Sequence, residues 1–315
     1  MDGGSDGAGR AVGPPKYRGE KPCEGDVVAD GTADRAEWKK RGETVLGLYG
    51  VSRMQRNDGA MMKKQIQWVL LSAACCFGAE FSPKSWTVDG VIREALVYFP
   101  ENVENPPLVF AFHGHGGNMR NAARSFRIQE VWPEAAVVYM QGLPTPGKLT
   151  DPEGKRNGWN SAPTDAVNRD LTFFDAIYES LKDQIDTNRV YSTGHSNGGG
   201  FTYCLWAARG DWFAAMAPSG ALSREALPLM KPKPVLHVAG ETDPLVKYAW
   251  QEWMIRFVKT LNGCGEGMPW HSSGDLTGIR YPSETGTPLI TLIHPGGHKF
   301  PKEAPELIIR FFREH

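Results

Sequence analysis

"RVYSTGHSNGGG", Arg189 to Gly200, is the stretch on which the reading of this chain turns. Val190 and Tyr191 lead into Gly194-His195-Ser196-Asn197-Gly198, and two more glycines open an apolar segment. A Gly-x-Ser-x-Gly pentapeptide has a mechanical meaning: a buried strand ends, the chain turns sharply, and a helix begins at once. The serine at the apex occupies strained backbone, its hydroxyl pushed into the open with the positive end of the helix behind it. Gly194 and Gly198 are the positions where a β-carbon would collide with the neighbouring strand or helix. Glycine and serine are common, so the pentapeptide alone is weak, and its context decides.

The whole chain has 315 residues, 41% of them hydrophobic, enough for a sizeable core. Its formal net charge of −1 argues against a nucleic-acid binder, which would carry a basic stripe. There is no internal repeat and no zinc-type cysteine pairing. Residues 1–60 are rich in glycine and charge without a helical or strand period, the composition of a disordered leader. Met61 to Phe81 then reads "MMKKQIQWVLLSAACCFGAEF": a basic start, an apolar run from Ile66 to Phe77, and a small-residue end. That order is the pattern of a signal peptide, and the run is too short for a stable membrane span. The expectation is an over-extended reading frame over 1–60, a signal peptide over 61–79, and a catalytic domain over 80–315 in a secreted or periplasmic protein. Cys204 and Cys264 are then the cysteines that remain, Cys204 reading as a buried thiol in an apolar helix.

Beyond Ser85 strand-like and helix-like segments alternate. "TVDGVIREALVYFP" reads as a hairpin turning at Val88-Asp89-Gly90. "PLVFAFHGHGGN" and "AAVVYMQG" are continuous apolar runs ending at a loop, of the kind buried on both faces, and "RVYSTG", "FAAMAPSG", "PVLHVAGETD" and "PLITLIHPGGH" supply further strands. "DLTFFDAIYESLKDQI" places Leu171, Phe174, Ile177, Tyr178 and Leu181 on one helical face. "GGFTYCLWAARG", "AWQEWMIRFVKTL" and "APELIIRFFREH" are further helices. Such alternation predicts an α/β fold, a mostly parallel central sheet with helices on both faces and a minimal lid. Chemistry in such sheets collects at the carboxyl ends of the strands.

Three residues stand at those ends in a telling order: Ser196 after "RVYSTGH", Asp243 after "VLHVAGET", His298 after "ITLIHPGG". Serine, acid, histidine is the chain order of the α/β-hydrolase triad. A neutral serine needs a base within hydrogen-bond reach, and the base needs an anion to fix its tautomer and stabilise its cation. Glu241 competes with Asp243 for the acid but lies two residues nearer the strand, and an isolated Asp-Pro is ordinarily a turn. His294, still inside the apolar run, competes with His298, and His237 reads as a core histidine. "FHGHGGN", Phe112 to Asn118, follows an early strand where this fold supplies an oxyanion amide. The expected donors are the backbones of His115 and Asn197. No metal or organic cofactor is expected; His113-x-His115 lacks the further ligands of a metallohydrolase.

At this point the chain from about Trp86 to His315 resembles the secreted poly(3-hydroxybutyrate) depolymerase-like and feruloyl esterase branch of the α/β-hydrolases. The resemblance rests on "FHGHGGN", "VVYMQG", "DTNRVYSTGHSNGGGFTYCLWAA", "AGETDPLV" and "HPGGHKFP". It implies triad roles for Ser196, Asp243 and His298, oxyanion roles for the His115 and Asn197 backbones, and a substrate-side position for Trp159 in "RNGWN". It also implies a departure: members often pair a cysteine before the last strand with one in an Asn-Gly-Cys segment, and here Cys264 has no such counterpart. The activity implied is hydrolysis of carboxylic esters, feruloyl or acetyl esters of polysaccharides or hydroxyalkanoate oligomers. The rivals are an acyltransferase using the same triad and an inactive carbohydrate-binding scaffold.

Overall fold

A computed structural model of the chain describes residues 81–315, so the leader over 1–60 and the signal segment over 61–79 lie outside the described residues. The fold begins with the expected hairpin, β1 (Ser82–Val88) and β2 (Val91–Tyr98). Asp89 and Gly90 between them both have positive φ, as a two-residue turn matched to strand twist requires. Then follow β3 (Leu108–Phe112), helices α1 (Met119–Phe126) and α2 (Ile128–Val131), and β4 (Ala136–Met140). A long excursion over 141–168 carries the two-residue strands β5 (Leu143–Pro144) and β6 (Asn157–Gly158) before α3 (Arg169–Leu181). The elements β7 (Val190–His195), α4 (Asn197–Arg209), β8 (Ala215–Ser219), β9 (Val235–Gly240) and α5 (Tyr248–Leu261) come next. The chain closes with β10 (Met268–Ser273), β11 (Leu276–Tyr281), β12 (Leu289–His294) and α6 (Ala304–Arg313).

Ten strands form one sheet in the order β1-β2-β4-β3-β7-β8-β9-β12-β11-β10. The inner six, β4 to β12 in that order, are parallel, and antiparallel strands flank them on each side. The period of two along a strand divides the interior into two cores. In β3, Leu108, Phe110 and Phe112 join a cluster with Phe174 and Ile177 of α3, Phe201 and Leu205 of α4, and Met254 of α5. Val109 and Ala111 face the other way, into a cluster with Ala122 and Phe126 of α1 and Ile308 and Phe312 of α6. This is the mostly parallel sheet covered on both faces that the alternation predicted, in the α/β-hydrolase architecture that the resemblance implied.

The β10–β11 hairpin is absent from the sequence reading. "MPWHSSGDLTGIRY" has no apolar run, because an edge hairpin leaves much of its surface to solvent and needs none. Its turn is Gly274-Asp275, with Gly274 at φ +59.

One buried ion pair ties the excursion to the sheet. Arg93 of β2 meets Asp170 in the first turn of α3 at 2.7 Å, with the two side chains 1% and 0% exposed. The guanidinium also donates to the carbonyls of Arg169 and Gln141 and lies over the Phe173 ring. The second Asp170 oxygen accepts from the Asn160 amide at 2.8 Å, beside Trp159. Removing one partner of such a pair leaves the other charge buried and uncompensated. Asp170→Ala is therefore expected to lose about 3–5 kcal/mol in denaturant unfolding; a loss below about 1 kcal/mol would show that the pair is solvated and does not anchor the loop.

Candidate active site

The site grows from the β7–α4 turn. Ser196 holds φ 58 and ψ −122, a conformation that L-residues rarely adopt and that persists only where its surroundings enforce it. Its amide donates to the Ser219 carbonyl of β8 at 2.8 Å, and its carbonyl accepts the first helical bond from Gly200 at 2.9 Å. A β-carbon on Gly194 would run into the Gly198 carbonyl, and one on Gly198 into the Phe112 carbonyl of β3. The two glycines thus let the helix start hard against the sheet, as the pentapeptide predicted.

Ser196, His298 and Asp243 come together. The Ser196 hydroxyl donates to His298 Nε2 at 2.7 Å, and His298 Nδ1 donates to Asp243 Oδ2 at 2.6 Å. The other Asp243 oxygen accepts from the amides of Leu245 and Val246, both at 2.9 Å, so Pro244 turns the chain back onto the carboxylate. The Asp-Pro turn thus carries the carboxylate that meets His298, and the two readings of that dipeptide do not conflict. Glu241 stays exposed, and His294 Nδ1 accepts the Gly296 amide. Among the described residues neither competitor hydrogen-bonds to Ser196 or His298.

The two amides expected to hold an oxyanion have no acceptor among the described residues. Asn197 lies next to Ser196 in the first turn of α4, and Gly114 brings the loop against Ser196 at Cβ. The loop is fixed from behind. His113 Nε2 accepts the Gly142 amide at 3.0 Å, which leaves its Nδ1–H to donate to the Gly114 carbonyl at 2.8 Å. His115 Nε2 donates to Asp151 at 3.0 Å, and Asp151 also accepts the amides of Arg156 and Lys155. These hydrogen bonds, that of Arg156 foremost and then that of His115, hold the Asp151 carboxyl down at about 2. No signal in "TDPEG" singles out Asp151, because its role exists only once the excursion folds over His115.

Trp159 requires a correction. It is 1% exposed, stacked on Phe201 with ring centroids 5.2 Å apart, and its indole donates to the His113 carbonyl at 2.8 Å. It lies beneath the loop after β3, too buried to present a face to a ligand at the surface. Its tie to the Ser196 turn is through the backbone: the Asn197 side chain accepts the Trp159 amide at 2.6 Å and donates to its carbonyl at 3.2 Å. Gln251 of α5 was also missed; fully buried, it donates to Asp243 Oδ2 at 3.2 Å. Cys204 is buried and Cys264 half-buried, both as free thiols.

Three histidines around this site are held neutral by burial. His195, against Ser219 Oγ and beside the His298 ring, is pushed down to about 3, first by desolvation and then by His298. Desolvation takes His113 and His237 down to about 4. A group whose folded pKa lies below its unfolded value of 6.5 takes up a proton only when the chain unfolds, so stability falls as pH drops through that window. The denaturant midpoint is therefore expected to be highest above pH 6.5 and to decline steadily towards pH 4. A midpoint that held flat from pH 7 to about 5 would mean that these rings protonate in the folded state.

No family model matches the chain. In sequence it is similar to feruloyl esterase D of Neurospora crassa, 29% identical over 228 residues that cover 67% of this chain and 75% of that protein. In structure it is similar to a ferulic acid esterase, with a TM-score of 0.54 at 12% identity over 75% of this chain and 98% of that one. It likewise matches an acetyl xylan esterase from Aspergillus awamori, with a TM-score of 0.53 at 14% identity over 74% and 100% of the two chains. The structural likeness establishes the fold, and the sequence likeness the kind of enzyme: the chain is an esterase of the α/β-hydrolase fold, related to the feruloyl esterases.

Proposed function

We propose that the protein hydrolyses carboxylic esters through a Ser196-His298-Asp243 triad and a covalent acyl-enzyme. The observation that carries this reading is the unbroken hydrogen-bonded line from Ser196 Oγ through His298 to Asp243, assembled from three separate strand ends. As Ser196 Oγ attacks the ester carbon, its proton passes to His298 Nε2, and Asp243 stabilises the imidazolium. The oxyanion rests on the amides of Asn197 and His115; one such donor is worth roughly 2.7–4 kcal/mol in the transition state. Collapse breaks the bond to the alcohol oxygen, which takes the proton from His298 and leaves. Water then gives a proton to His298 as it attacks the acyl carbon, and Ser196 recovers that proton when the acid departs.

The substrates proposed are feruloyl or acetyl esters of polysaccharides, which the similarity to feruloyl esterase D and the shared fold of the acetyl xylan esterase support. Export is part of the proposal, resting on the basic, apolar and small-residue order of residues 61–79. No helix among the described residues is long and apolar enough to cross a membrane.

The test compares kcat/KM on methyl ferulate, an acetylated xylo-oligosaccharide and a 3-hydroxybutyrate oligomer, with and without a free sugar acceptor. Turnover of the first or second is expected, reduced about 10⁶-fold in Ser196→Ala and about 10⁴-fold in Asp243→Asn. Preference for the third would move the substrate to hydroxyalkanoates, and acylated sugar as the main product would make the enzyme a transferase. Hydrolysis that survives Ser196→Ala would overturn the triad.

A further inference from the structure

Behind the acid lies a line of buried polar side chains with no part in the steps above. Gln251 is 0% exposed, His237 1%, and Tyr203 0%. Gln251 Nε2 contacts Asp243 Oδ2 at 3.2 Å and the Val246 carbonyl at 2.6 Å. Both are acceptors, so this nitrogen is the amide's donor end, and Gln251 Oε1 is left to accept. Its neighbour at 3.4 Å is His237 Nε2, which must therefore carry the imidazole proton. His237 Nδ1 is then bare, and the Tyr203 hydroxyl donates to it at 2.7 Å. Each assignment forces the next. Every hydrogen bond in the line runs the same way, from Tyr203 through His237 and Gln251 to Asp243, where it meets the one arriving from Ser196 through His298.

We propose that Gln251 is a positioning residue for Asp243, with its donor end held towards the carboxylate by His237 and Tyr203. The proposal rests on the triad reading. Asp243 Oδ2 receives His298 Nδ1 and Gln251 Nε2 together, so Gln251 sets where that oxygen stands when it takes the imidazole proton's hydrogen bond. Two features make the line directional. An amide can flip, but a flip would turn Gln251 Oε1 onto Asp243, oxygen against oxygen, and His237 blocks it by presenting N–H. His237 could change tautomer, but that would set a bare Nε2 against Gln251 Oε1 and leave the buried Tyr203 hydroxyl proton without an acceptor among the described residues. Burial keeps His237 neutral, pushed down to about 4, as the line requires. Tyr203 lies in α4, the helix that Ser196 begins, so nucleophile and acid are referred to the same rigid element. The 3.4 Å link between His237 and Gln251 is the longest of the line and the one that most needs the order around it.

The experiment measures kcat and KM for 4-nitrophenyl acetate and, without substrate, the low-field proton resonance of His298 Nδ1–H. The variants are Gln251→Leu, Gln251→Glu and Tyr203→Phe in the full chain, with thermal unfolding to establish that each folds. Positioning predicts that Gln251→Leu lowers kcat about 10-fold at a KM within about twofold, and shifts or broadens the resonance. Gln251→Glu, close in shape but facing Asp243 with a second carboxylate, is expected to fall below Gln251→Leu; a purely space-filling role would reverse that order. Tyr203→Phe, the mildest change, is expected to lower kcat about threefold. Folded Gln251→Leu and Tyr203→Phe with unchanged kcat and an unmoved resonance would overturn the proposal. If instead Ser196→Ala hydrolyses the ester like the parent, the triad reading fails, while the resonance still reports whether Gln251 holds Asp243.

Discussion

Everything at this site depends on how closely α4 approaches the sheet. The turn between β7 and α4 leaves no room for side chains at Gly194 and Gly198, and Ser196 is held at positive φ between them. That strain is maintained by bonds on both sides: the Ser219 carbonyl of β8 takes the Ser196 amide, and the Ser196 carbonyl starts the helix. With the turn set, the hydroxyl faces the loop after β9 and the loop after β12, because those strands lie in parallel register beside β8. Adjacent parallel strands deliver their following loops to the same edge, which is how residues 102 positions apart come within 2.7 Å.

The polar architecture falls into two layers. The upper one contains Ser196, His298 and Asp243, with the His115 and Asn197 amides that have no acceptor among the described residues. The lower one consists of buried donors and acceptors behind these: His113 under the Gly114 loop, Asp151 against His115, Asn197 clamping the Trp159 backbone, and Gln251 behind Asp243. Each member of that layer that could adopt two orientations is restricted to one by its partners. Low-dielectric surroundings make such a layer stabilising when fully paired and costly when one member is lost. The Arg93–Asp170 pair extends the same logic to the base of the excursion, where it holds Asn160 next to Trp159.

The sequence was most legible where one physical requirement dominates a short stretch. Apolar runs announced the inner strands, and the order of Ser196, Asp243 and His298 at their ends announced which side chains meet. It was least legible where a role depends on distant partners. Trp159 stands in a polar loop, and nothing local tells whether its ring covers substrate or fills the space under His113; Phe112 and Phe201 decide that, and both come from other elements. Gln251 lies within a helical pattern in which one polar residue looks like any other. The β10–β11 hairpin escaped because its exposed faces need no apolar alternation. Asp243-Pro244 offered a choice between a turn and an acid, and in the structure Asp243 both closes the turn and meets His298.

The central claim is that Ser196 is the nucleophile, and covalent capture tests it most directly. The folded protein would be treated with an alkyl fluorophosphonate and its peptides mapped by mass spectrometry. The account predicts one phosphonyl group per chain, on Ser196, and none in a protein carrying His298→Ala treated for the same time. A single adduct on another residue, or none on a folded protein that still cleaves esters, would contradict it.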